Sequence, residues 1–365
     1  MHKTSAWPLA AIYAVLIVFA SLFPFSGWRA QGLEPWMFLA APLPPPYWPG
    51  FDVTSNLIGY APLGFLLALA LLRTGWTRGA VWWAALAGSL LSLAMEFLQI
   101  YLPRRVPSNL DLVLNAAGTW LGALLAALLE RWGAIDRWSL FRGRWFVPDA
   151  RGALVLMALW PAALLFPAAV PFGLGQVLER LEAAIEQALQ DTPFIDWMPM
   201  RETVLEPLSP GGEALCVMLG LLVPSLLGYC VIRHVGRRAV FATGVLVIGV
   251  AVTALSAALS WGPAHAWGWL DEPVRVGVWA AAGMAVLLLM LPRRASAAVL
   301  LVALVWHLAL LNQAPTSVYF AQTLMQWEQG RFIRFYGLGQ WLGWLWPYVA
   351  LLYVLVRVSR KDAHP

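Results

Sequence analysis

Ser108-Asn109-Leu110-Asp111-Leu112-Val113-Leu114-Asn115-Ala116-Ala117-Gly118-Thr119-Trp120-Leu121-Gly122 opens an apolar run that continues to residue 129. Asp111, Asn115, Gly118 and Gly122 recur at the spacing of one helix face, so the run reads as a membrane helix with a single polar edge. Its length suits a hydrocarbon core about 30 Å thick. A carboxylate at bilayer depth costs about 2.5–3.5 kcal/mol on insertion scales, so Asp111 marks a site. Two preceding apolar runs repeat the device, with Asp52, Asn56 and Tyr60 in one and Ser89, Ser92, Glu96 and Gln99 in the other. Gly118 and Gly122 form a small-xxx-small pair that lets helices approach closely, which brings the three edges within reach of one another.

The rest of the chain supports a membrane reading. Hydrophobic residues make up 61% and charged residues 12%, and the mean hydropathy is +0.69, far from a soluble average. Runs long enough to span recur near 7–25, 54–72, 80–101, 110–129, 152–172, 213–232, 239–260, 274–291, 296–311 and 338–356. The expected architecture is an all-α polytopic bundle of about ten transmembrane helices. Trp7, Trp28, Trp76, Trp132, Trp261, Trp267 and Trp346 stand at run ends, where amphipathic rings prefer to lie. We read the first run as a retained span rather than a signal peptide, because its apolar length exceeds a signal core and the following spans need it for their alternation.

Charge sets an orientation. With both termini cytoplasmic, 16 of the 24 Lys and Arg residues lie inside, among them Arg73, Arg78, Arg131, Arg142 and Arg144. The basic balance is therefore topological, and no nucleic-acid role is expected. Under this topology the second span starts outside at Asp52, the third ends outside near Tyr101 and the fourth starts outside near Ser108, so the polar ends share the outer leaflet. Cys216 and Cys230 lack ligand spacing and read as packing residues, so neither metal nor disulfide is expected. His307, alone in a span, reads as bonded to a neighbouring helix. No phosphate loop, dinucleotide fingerprint or serine elbow occurs, and no cofactor is implied.

Three segments follow from composition: 1–131 with four spans, a cytoplasmic linker at 132–151, and a six-span extension at 152–365. The outward loop 26–53 carries the proline-rich stretch 41–50, which favours extended geometry across the membrane surface. The loop 174–212 has seven acids against Arg180 and Arg201, with Leu178, Leu181, Ile185 and Leu189 at helical spacing. An amphipathic helix is expected there, lying at the interface or covering the bundle. A solvated acidic face or a docking surface for a membrane protein partner are both open for it.

The polar cluster admits several chemistries. Glu96 and Asp111 could pair with Arg104 or Arg105 and with Asn56, Gln99 and Asn115, simply satisfying one another between helices. A binding version uses Arg105 as a guanidinium fork for phosphate, with Asn56, Gln99, Ser108 and Asn115 orienting a head group. A catalytic version takes two of Asp52, Glu96 and Asp111 as an acid and base pair. Ser108 or Asn109 is expected to cap the fourth helix, with Asp111 in its first turn.

The stretch from Asp52 to Gly122 resembles the VanZ-like family of bacterial membrane proteins. The resemblance rests on Asp52-x3-Asn56, Tyr60-Ala61-Pro62-Leu63-Gly64-Phe65, Glu96-x2-Gln99 and Pro103-x-Arg105-x2-Ser108-x2-Asp111-x3-Asn115-x2-Gly118-x3-Gly122. Arg104 departs from it, standing where a small residue is usual. Residues 312–348 look like a longer form of the family with extra C-terminal spans. The resemblance implies a multi-pass protein of the bacterial plasma membrane and a cell-envelope role. Its founding member is associated with low-level teicoplanin resistance. The expected partner is membrane lipid or a lipid-linked envelope precursor; a hydrolase or transferase acting on such a lipid, and a structural partner of an envelope assembly complex, are the alternatives.

Overall fold

The computed structural model describes residue 4 and residues 6–23, 25–32, 34, 36–43, 50–195, 205–315 and 333–359, with backbone alone at 50–52 and 333–338. It is all-α among these residues, and the chain divides into two units, 1–141 and 142–365.

The first unit holds α1 (Ala6–Leu22), α2 (Gly50–Arg73), α3 (Ala80–Gln99), α4 (Asn109–Arg131) and most of α5 (Ala134–Trp145). The helix ends follow from local chemistry. Ser108 caps α4, its Oγ accepting the Asp111 N–H at 3.3 Å, which satisfies one of the orphan donors at a helix start. Beyond α2, Gly75 adopts φ +95° and the Trp76 N–H bonds the Leu71 carbonyl at 3.0 Å, a left-handed C-cap that a side chain would strain. The α1 tyrosine Tyr13 donates to the Gly59 carbonyl at 2.9 Å. Ile17 and Leu22 of α1 share a core with Tyr60, Leu63, Met95 and Leu102.

Packing of α2 against α4 is unusually close. A Cβ at Gly64 would lie 1.9 Å from the Thr119 carbonyl oxygen, one at Gly118 2.1 Å from that of Leu57, and one at Gly122 1.8 Å from that of Ala61. The two helices touch backbone to backbone, which only glycine allows. Thr119 also points its side chain at Gly88 of α3, where a Cβ would sit 2.4 Å from the threonine methyl. At the far end, Arg73 of α2 pairs with Glu130 of α4 at 3.3 Å and Asp136 of α5 at 2.9 Å. Most of the expected 132–151 linker is thus helical.

The second unit contains α6 (Arg151–Leu165), α7 (Leu178–Leu189), α8 (Pro210–Tyr229), α9 (Val235–Trp261), α10 (Glu272–Leu287), α11 (Arg293–Leu311) and α12 (Ile333–Ser359). Its centre is α8, apolar on all sides and buried from Cys216 to Tyr229 with only Met218 partly exposed, as expected of a core helix. It packs on α6, α9, α10 and α11. Cys216 and Cys230 are free and buried there, and Cys216 Sγ lies 3.8 Å from His307 Nδ1 of α11.

Eight of these helices are long and apolar enough to cross a membrane: α2, α3, α4, α8, α9, α10, α11 and α12, with α10 counted together with the short turn after it. Two shorter apolar helices, α1 and α6, accompany them. The protein is a multi-pass membrane bundle. The expected span 152–172 is interrupted, because α6 stops at Leu165 and Phe166 turns extended. Pro167 excludes the helical region for the residue before it. The following non-helical stretch is buried at Phe166, Val170, Phe172 and Leu174, the condition under which irregular backbone survives at membrane depth. Trp346, expected at a membrane boundary, is instead buried and donates to the Leu156 carbonyl at 2.8 Å.

The glycine seam yields a test. Gly122→Ala forces α4 off α2 and is expected to cost at least the 1–3 kcal/mol of an overpacked core, read as a lower unfolding temperature in detergent. Gly59→Ala, on the same α2 but with open space at its Cβ, is expected to hold or raise that temperature.

Candidate functional site

The start of α2, the end of α3 and the start of α4 lie at one end of the first unit, and their polar edges meet there. Glu96 is 3% exposed, and its Oε2 accepts the Ser108 N–H at 2.9 Å. An α3 carboxylate thus sits on the N-cap residue of α4, where the helix dipole favours negative charge. One turn deeper, Asn115 Nδ2 donates to Ser92 Oγ at 2.9 Å. Thr119 Oγ1 donates to the Asn115 carbonyl at 2.9 Å, which joins the polar edge to the glycine seam.

From α2, Tyr60 enters this cluster at 6% exposure. Its hydroxyl lies among Ser21, Ser92, Glu96 and Asp111 without a hydrogen bond of good geometry. Asn56 Nδ2, one turn away on α2, and Asn115 Oδ1, on a residue 5% exposed, are also buried without a partner. A buried orphan polar group costs about 1–3 kcal/mol, and native structures hold few of them. Two donors and one acceptor of this kind within a few turns form an incomplete hydrogen-bond set.

Gln99 and Arg105 reach across to α1. The Arg105 guanidinium donates to the carbonyls of Ala20 at 3.0 Å and Phe23 at 2.9 Å, and Gln99 donates to that of Ser21 at 3.2 Å. Both cap the C-terminal end of α1, whose last carbonyls have no helical partner. Arg104 is exposed. The connection after α1 crosses the same end of the unit. The Arg29 N–H bonds the Tyr101 carbonyl at 3.0 Å, Gln31 bonds that of Ile100 at 2.7 Å, and Asn109 donates to that of Ala41. Trp36 packs on Phe97 with ring centroids 5.7 Å apart. Much of the proline-rich stretch, residues 44–49, lies outside the described residues.

Of the residues expected to form a site, Glu96, Ser108, Asp111 and Asn115 are brought together with Ser92 and Tyr60, and Asn56 flanks them on α2. Asp52 occupies the first turn of α2, and its side chain lies outside the described residues. The expected cap on α4 is Ser108, with Asp111 in the first turn. Sequence reasoning missed Thr119, which looks like one more small residue in an apolar run. It also missed the partners of Arg105, which lie 82 and 85 residues earlier and leave no local pattern.

These helices carry the spacings quoted for the VanZ-like resemblance, assembled around one buried cluster. The chain contains a VanZ/LLP1 family region at residues 6–130. That region takes in α1 to α4 almost to the last residue, so the VanZ-like domain is the glycine-seamed unit that holds the polar cluster. No curated protein and no solved structure matches the chain.

Arg105→Ala removes two charge-assisted bonds from the end of α1 and is expected to destabilise the domain by about 2 kcal/mol. Thermal unfolding of the detergent-solubilised protein followed by tryptophan fluorescence checks this, with Arg104→Ala expected to leave the midpoint in place.

Proposed function

We propose that the VanZ-like domain binds the hydroxyl-rich head group of an envelope lipid at the outer leaflet of the bacterial plasma membrane. Both termini of the chain are cytoplasmic in this reading, which places Arg73 and Arg78 inside and the cluster outside, in keeping with the basic bias of inner loops. The observation that carries the proposal is the set of orphan groups beside Glu96: Asn56 Nδ2, Tyr60 OH and Asn115 Oδ1. Two donors and an acceptor next to two carboxylates complement a polyol or glycosyl group, whose hydroxyls both give and accept. Arg105 spends hydrogen bonds on α1 carbonyls, which favours sugar hydroxyls over phosphate as the group held in the cluster. Handling of a lipid-linked precursor would also alter the access of amphiphiles such as teicoplanin to the envelope.

A second reading, hydrolase or transferase chemistry on the same lipid, draws on Glu96 and Asp111 both acting electrostatically on the buried phenol of Tyr60. Glu96 would then act as a general base or acid, a role that needs a carboxyl group within reach of the transferred proton.

Native mass spectrometry with lipid identification on wild type, Tyr60→Phe and Glu96→Gln tests both. We expect wild type to carry a glycosyl or polyol lipid and Tyr60→Phe to lose it. The unfolding temperature of Tyr60→Phe should be unchanged or higher, since deleting an orphan hydroxyl removes a desolvation cost. A wild type without specific lipid, or a lipid held equally by both variants, would overturn head-group binding. Retention by Glu96→Gln with loss of turnover would move the proposal to the enzymatic reading.

A further inference from the structure

We infer that α7 is an interfacial helix whose apolar edge lies in the lipid at the level where α11 and α12 meet the membrane surface. The inference is independent of the head-group proposal and concerns the second unit alone.

Leu178, Leu181, Ile185 and Leu189 fall at i, i+3, i+7 and i+11 and share one face, with Glu182 at its border and Glu179 and Glu186 beyond it. No residue of α7 is buried. Leu178, Leu181 and Ile185 are 39%, 50% and 40% exposed, so the helix does not cover the bundle, one of the two placements its sequence allows. An amphipathic helix with a bare apolar edge is stable where that edge can leave water.

Its position is pinned by side chains at the ends of membrane helices. Asn312, the residue after α11, accepts the backbone N–H groups of Val177 and Leu178 at 3.1 Å each. Its amide donates to the carbonyls of Leu308 at 2.9 Å and Gly175 at 3.1 Å. Asn312 is therefore an N-cap supplied by another helix, doing for α7 what a local Ser or Asp does elsewhere. Tyr348 of α12 donates to the Gly175 carbonyl at 3.1 Å, and Gln176 to that of Ala314 at 2.8 Å. Arg180 lies over the Trp344 ring of α12, 5.4 Å from its centroid. Trp344 lies on α12 (Ile333–Ser359), and Leu311 ends the α11 span. The first turn of α7 is thereby held at the end of the α11 span, against the side of α12. The leaflet beside them is continuous with the lipid-facing surface of the bundle, and it is the apolar medium available to the exposed leucines.

Single cysteines at Leu181, Ile185, Ala183 and Glu186 in the full chain test this, because native Cys216 and Cys230 are fully buried. Each variant is spin-labelled, reconstituted into vesicles of phosphatidylcholine and phosphatidylglycerol, and probed for collision with oxygen, which partitions into lipid, and with a water-soluble nickel chelate. Labels at 181 and 185 are expected to favour oxygen, and labels at 183 and 186 to favour nickel. All four favouring nickel would place α7 in water and overturn the inference. Shielding of 181 and 185 from both reagents would also overturn it, in favour of a protein partner on the acidic loop.

Discussion

Backbone contact between α2 and α4 sets the geometry of the VanZ-like domain. Lipid tails are as apolar as leucine, so no hydrophobic force drives two membrane helices together; close approach and the dispersion and Cα–H···O contacts it permits must do so. Gly64, Gly118 and Gly122 supply that approach, each with a partner carbonyl where a methyl group would clash. The polar cluster depends on it. Asn115 stands one turn before Gly118, Tyr60 falls between Leu57 and Gly64 on the facing helix, and Thr119 bonds the Asn115 carbonyl while its own backbone touches Gly64. Separating the helices by the width of a side chain would withdraw Tyr60 and Asn56 from the bonds that join α3 to α4.

A second constraint comes from the ends of the helices. The last carbonyls of a membrane helix have no water at depth to accept from and no partner along the chain. Here arginines meet much of that need. Arg105 serves α1, and Arg238 donates to the carbonyls of Ile232 at 3.3 Å, Leu289 at 3.0 Å and Leu291 at 2.6 Å. Arg233 donates to that of Phe146 and Arg357 to that of Cys230. These arginines are structural caps. A guanidinium suits this, since it carries five donors in a fixed fork and keeps its charge. This clarifies why an arginine beside a polar membrane site is weak evidence for a bound phosphate.

The second unit solves a different packing problem. Its core helix α8 is surrounded, so its neighbours need only one inward face each, and α6 can end early at Leu165 without exposing its continuation. The buried stretch after Phe166 then carries the chain to Asn312, where backbone donors that would be orphaned find an acceptor. The break, the asparagine cap and the surface helix α7 form one connected device. It turns a membrane crossing into a helix at the boundary.

Apolar runs, polar edges at helical spacing and the small residues among them were enough to read an all-α membrane bundle, its helix positions and most members of the cluster. These features are local, and helical period and hydrocarbon thickness act on each run by itself. The stop at Leu165 was legible too, in the Phe166-Pro167 pair, though hydropathy masked it. Other features were decided by tertiary structure: that Arg105 and Gln99 face α1, that Trp346 is core, that Asn312 caps α7, and that Asn56, Tyr60 and Asn115 keep unpartnered atoms. Each depends on which side chains of distant segments come within about 3 Å of one another. Sequence alone specified that polar groups would enter the membrane and on which faces. Whether each found a partner depended on how closely the helices pack, which a one-dimensional pattern does not contain.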